Sequence, residues 1–185
     1  FNYGGVYAIQ TLWAGPWMIR VAGYSPLESA TGLFWINFIA LIGFFVWGYF
    51  LPKISKYNLN SFKLMKFGIP ISYLVLLSIV ILGSKVGVFL LTLYILTSIV
   101  LSLSQPAVAL SFPKHLAGKS LTSFNLIIFL GTFVTQWGIG LIIDLSQSFG
   151  KSEIASFQIS FFVYLLCCIF SYLYFILKNK NLVNE

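Results

Sequence analysis

Long apolar runs alternate along the chain with short polar breaks, and each run has about the length of a helix that crosses a hydrocarbon core. Six runs can be marked, at about 2–22, 27–51, 64–83, 86–111, 122–145 and 155–177. None of the connections is long enough to hold a soluble domain. The expected fold class is therefore an all-α membrane protein of six transmembrane helices, with residues 1–185 forming one unit.

The polar positions inside these runs are patterned. In the fifth run Asn125, Thr132 and Gln136 follow one another at seven and four residues, so they share one helical face. Gly131, Thr135 and Gly138 lie on another face, where small residues let a neighbouring backbone approach. A lipid-facing helix needs neither stripe. The first run carries Gly15-Pro16, the mark of a kink held by neighbouring helices. Tyr3, Tyr7, Gln10, Trp13, Trp17 and Arg20 recur along one broad side of it. Aromatic packing with an interfacial Trp and Arg belt is the plainer reading of that stripe, although Gln10 needs a polar partner in hydrocarbon. The fourth run resembles the first, with Tyr94, Ser98, Ser102 and Gln105 on one face and Pro106 beside the amide.

The second run opens with Ser25-Pro26-Leu27-Glu28, a capping box that makes Glu28 a helix cap. The third run, with Pro70 near its start, and the sixth are plainer and are expected at the periphery. This gives a period of three helices. The first of each triplet has a polar stripe and a proline, the second has Asn followed six residues later by Gly (Asn37/Gly43 and Asn125/Gly131), and the third is plain. Three is odd, so the triplets cross the membrane in opposite senses. Such a 3+3 inverted repeat points to a transporter half, with the binding site where the triplets meet.

Composition and charge sharpen the picture. The 185 residues are 59% hydrophobic and 8% charged, with a mean hydropathy of +0.94, whereas soluble domains carry about 25% charged residues. The net charge of +7 does not mark a nucleic-acid binder, because the basic residues fall in loops between apolar runs. Lys53, Lys56, Lys63, Lys66, Lys114, Lys119, Lys178 and Lys180 would all lie on one side, against Arg20, Lys85 and Lys151 on the other. That bias places the C-terminus in the cytoplasm. Cys167 and Cys168 are sequence neighbours in an apolar run, so no structural disulfide is expected.

Catalytic chemistry finds no support. There is no His-x-x-His and no paired carboxylate within a span, so an enzyme, a metal centre and a cofactor are not expected. His115, beside Lys114, is expected in a solvated loop. Asp144 and Arg20 are a candidate ion pair near the outer surface. The chain begins at Phe1, inside an apolar run with no basic leader, and reads as starting in mid-protein.

The stretch Gly48-Tyr-Phe-Leu-Pro52-Lys53-Ile-Ser55-Lys56 resembles the signature loop of the major facilitator superfamily, a Gly, then Asp with Arg or Lys, then Gly with Arg or Lys. Gly48, Lys53 and Lys56 match, while Pro52 stands for the Asp and Ser55 for the second Gly, as in a degenerate second copy. Ala8-Ile-Gln10-Thr-Leu-Trp13-Ala-Gly15-Pro16-Trp17 looks like the seventh helix of bacterial members. Pro113 to Gly118, Asn125 to Gly131 and Gln136-Trp137-Gly138-Ile-Gly140 look like their tenth-to-eleventh loop and eleventh helix. The resemblance implies helices seven to twelve of a twelve-helix transporter in a bacterial plasma membrane, with a missing N-terminal half as partner and a small-molecule solute as substrate. It further implies a substrate cavity lined by Gln10, Trp13, Trp17, Tyr94, Gln105, Asn125 and Gln136, and bending points at Gly15, Pro16 and Pro106. A non-transporting sensor or scaffold with a transporter-like fold is the alternative.

Overall fold

The computed structural model describes residues 1–55 and 60–179. The described elements are helices: α1 (2–21), α2 (Pro26–Ser55), α3 (Ser61–Leu82), α4 (Val88–Leu110), α5 (Ala117–Ser148) and α6 (Glu153–Lys178). Helices α2 to α6 are each long and apolar enough to cross a membrane, and α1 rises about 30 Å at the α-helical rate. This is a membrane-spanning helical protein. The helices outrun the apolar runs that announced them, most clearly α5, which begins at Ala117 and ends at Ser148. Hydropathy marks the apolar core of a helix, while its polar first and last turns continue in the headgroup region.

Two helices are irregular, each beside a proline. In a regular helix the Pro16 ring would crowd the carbonyl of Leu12. The chain instead takes a π-helical turn over Ile9–Trp13, with the Ala14 N–H donating to the Ile9 carbonyl, and a second over Trp17–Val21. In α4 a tighter 3-10 turn spans Ile99–Leu103, just ahead of Pro106.

The start of α2 has the expected capping box. The Ser25 backbone N–H donates to the Glu28 carboxylate at 2.8 Å, and the Glu28 N–H donates to the Ser25 hydroxyl at 3.2 Å. Removing the hydroxyl with Ser25→Ala should lower thermal stability by about 1 kcal/mol, since the cap is exposed and water replaces part of it. A melting curve in detergent checks this.

Helix α1 lies against α5, α2 against α4, and α3 against both α4 and α6. The α1–α5 crossing is backbone on backbone. A Cβ on Gly4 would stand 2.6 Å from the Thr132 nitrogen and would also collide with the Ile128 carbonyl. The Thr132 hydroxyl donates to the Gly4 carbonyl at 3.0 Å across the same gap. At the α2–α4 crossing, a Cβ on Gly43 would meet the side chains of Ile99 and Leu96 at 2.7 Å. Among helices in lipid such close fit does the holding, because lipid tails are as apolar as leucine.

Helices α3 and α6 are more than a plain periphery. They carry hydrogen bonds into the interior: Tyr73 donates to the Cys168 carbonyl at 2.9 Å and accepts from Asn2 at 2.8 Å. Gln158 donates to the Val80 carbonyl at 2.7 Å, and Tyr172 to the Lys66 carbonyl at 2.6 Å. Cys168 is buried, Cys167 is exposed, and both are free. The outward sides of the bundle present Leu74, Ile81, Phe170 and Leu177, each more than half exposed, as side chains facing hydrocarbon do. Near one end, Phe62 of α3, Leu101 of α4, Phe112 just beyond it, Phe124 of α5 and Phe175 of α6 line a common cavity of about 460 Å³. The opposite end joins α1 to α6 through Arg20 and Glu153.

Candidate functional site

Polar side chains within the spans gather on α1, α2, α4 and α5. Gln10 of α1 donates from Nε2 to Oδ1 of Asn37 in α2 at 2.9 Å, and Asn37 turns its own Nδ2 back to the Leu33 carbonyl at 2.7 Å. Gln105 of α4 likewise donates from Nε2 to Oδ1 of Asn125 in α5 at 3.4 Å. One amide pair thus joins α1 to α2, and the other joins α4 to α5. Gln136 of α5 donates to the Thr11 hydroxyl at 3.3 Å, while Thr11 donates to the Tyr7 carbonyl at 2.6 Å. Thr11, Asn37 and Asn125 are exposed, and Gln10, Gln105 and Gln136 are half-buried.

The chemistry on offer is neutral. Each glutamine keeps its Oε1 as an acceptor and one N–H as a donor beyond the bonds above. No Lys, Arg, Asp or Glu takes part in these amide bonds. Among the described residues no group of three or more His, Cys, Asp or Glu comes together as metal ligands would. Such a surface can hydrogen-bond water or a polar solute but is a poor wall for lipid, because an amide in hydrocarbon needs a partner for every polar atom.

The remaining expected site residues are placed differently. The indole N–H of Trp13 is taken by the Gln136 carbonyl at 3.2 Å, and its ring stands edge-on to Phe157. Trp17 is fully buried, with its ring 4.6 Å from that of Phe161 and its N–H without a hydrogen-bond partner among the described residues. Tyr94 is buried too, its hydroxyl 3.2 Å from that of Tyr164 in α6. Neither Trp17 nor Tyr94 reaches the exposed amides. Gly15 and Pro16 sit between the two π turns of α1, and Pro106 stands exposed in the last part of α4. In the loop motif Gly48 has open space around it, and the Lys53 ammonium lies 3.9 Å from the Tyr49 ring centroid. Lys56 lies outside the described residues.

Arg20 does not pair with Asp144. Its Nη1 meets Oε1 of Glu153 at 2.8 Å. Periodicity within one helix cannot tell which other helix stands beside it, and α6 proves to be the neighbour. Sequence reasoning also passed over Asn37 as the partner of Gln10, and Thr11 as the partner of Gln136. The signal was there, since both are polar groups in apolar runs. Tyr73 and Tyr164 were harder to find, because a tyrosine reads as apolar until its hydroxyl has a partner.

No family model, curated protein or solved structure matches this chain.

Proposed function

We propose that the chain is one six-helix half of a secondary transporter of the major-facilitator type, moving a small solute by alternating access against a second six-helix half. The observation that carries this reading is the exposed amide surface on α1, α2, α4 and α5. At membrane depth such a surface needs water or protein in front of it, and a second half enclosing a solvated cavity supplies both.

Part of the helix arrangement is consistent with the inverted repeat that goes with this, although α5 packs closely on α6 where, among the described residues, α2 and α3 make little contact. Exchanging the triplets maps the α1–α5 contact onto α4–α2, and the α3–α6 contact onto itself. It also maps the Gln10–Asn37 pair onto Gln105–Asn125, and the Gly131 side of the α1–α5 crossing onto the Gly43 side of the α2–α4 crossing. The lysine bias then sets a cytoplasmic C-terminus, with a bacterial plasma membrane as the location by resemblance.

Thiol accessibility tests the reading. In a background with Cys167→Ser and Cys168→Ala, single cysteines at Thr11, Asn125 and Leu74 are exposed in intact cells to a membrane-impermeant maleimide. Thr11→Cys and Asn125→Cys should react, and a transported solute should protect them; Leu74→Cys, facing lipid, should not react. Silence at both polar positions overturns the cavity. Reaction without protection by any solute in a broad panel favours a scaffold over a transporter.

A further inference from the structure

The pairing of Arg20 with Glu153 leaves a carboxylate unbalanced. Asp144 has no ion-pair or hydrogen-bond partner among the described residues, and it lines a crevice of about 180 Å³ between α1, α5 and α6 together with Trp13, Arg20 and Phe157. Gly140, one turn before Asp144, has no side chain to fill the space, so the Trp13 ring lies within 3.6 Å of where its Cβ would be. Arg20 is neutralised by Glu153 at 2.8 Å. Arg20, Glu153 and Asp144 together carry one net negative charge beside the aromatic lining of Trp13 and Phe157. We propose that the crevice binds a small organic cation, an ammonium group with alkyl substituents. The volume is that of several water molecules, at about 30 Å³ each, which suits a head group of that size.

The walls decide the kind of cation. A bare metal ion of the calcium or magnesium type wants about six or more oxygen ligands, and Asp144 is the only carboxylate lining the crevice among the described residues. An alkylammonium spreads its charge over methyl groups that prefer the face of an indole or phenyl ring, with the carboxylate as counter-ion. Asp144 is exposed, so solvent and salt screen the attraction and binding is weak. The proposal does not depend on the transport reading.

The test uses the chain in lipid nanodiscs with ¹⁵N-labelled tryptophan, the Trp13 indole signal being assigned by its loss in Trp13→Phe. Choline chloride is titrated against its uncharged carbon isostere, 3,3-dimethylbutan-1-ol, with sodium chloride at matched ionic strength as control. Choline should shift the Trp13 signal saturably, leaving those of Trp35 and Trp47 in place, and neither control should do so. Asp144→Asn should weaken choline binding several-fold, the scale of an exposed charge pair. Glu153→Gln frees the Arg20 guanidinium to compete for Asp144 and should weaken it several-fold, whereas Arg20→Gln should strengthen it. An equal shift with the isostere or with sodium, or unchanged choline affinity in Asp144→Asn, overturns the proposal.

Discussion

Gly4→Ala should destabilise the bundle by about 2 kcal/mol, while Gly131→Ala, directly across the same crossing, should be close to neutral. A methyl group on Gly4 meets backbone on every side: the Thr132 nitrogen at 2.6 Å, the Gly131 carbonyl carbon at 2.9 Å, and the Ile128 carbonyl oxygen. Backbone cannot rotate away, so α1 and α5 must separate and stretch the bond from Thr132 to the Gly4 carbonyl. Overpacking of this kind costs about 3 kcal/mol at the upper end of its usual range. Better helix propensity of alanine returns about 1 kcal/mol. On Gly131 the same methyl would sit 3.5 Å from Phe1 and 3.8 Å from the Gly4 Cα, which are ordinary contacts. Thermal unfolding in detergent, with size-exclusion profiles of both variants, measures the difference. Equal behaviour of the two variants would mean that the helices cross elsewhere.

That asymmetry also marks the limit of reading a helix from its own periodicity. The small-residue stripe of α5 does face a close neighbour at Gly131, and Thr135 is buried, but Gly138 has open space around it. The glycine under most pressure is on α1. Which of two facing glycines bears the contact depends on the crossing geometry, which neither helix states alone.

The polar positions were easier. In an apolar run an amide is conspicuous, and Gln10, Gln105, Asn125 and Gln136 all lie where helices present polar groups outward or to each other. Trp17 was misplaced for a definite reason. It follows Gln10 by seven residues, which in a regular helix puts both on one face. The π turn over Ile9–Trp13 uses i to i+5 hydrogen bonds, so each residue advances the helix by a smaller angle. The two faces fall out of step, and Trp17 turns into the core while Gln10 faces Asn37. Proline announced an irregularity at that point. Whether it would be a kink, a 3-10 turn or a π turn depends on what packs around it.

Gln10→Leu and Gln105→Leu should each lower transport at least tenfold on the proposed reading, with expression and melting temperature near wild type. Uptake is measured with whichever solute protects Thr11→Cys from the maleimide. Leucine keeps much of the volume and removes the amide, so the comparison is between two roles for the same hydrogen bond. If the pairs only tie helices together, each is worth about 0.6 kcal/mol, the average for interhelical bonds in membranes. That is too little to unfold a bundle whose α1–α5 crossing rests on close backbone contact. A tenfold loss of transport corresponds to about 1.4 kcal/mol, and with normal expression it has to come from solute contacts or from the motion between states. On the proposed repeat the two pairs are counterparts, so both variants should lose uptake. Loss in one alone would confine the solute to one triplet. A small drop in melting temperature with unchanged uptake in both would make the amides interhelical ties, and the solute surface would have to be sought elsewhere.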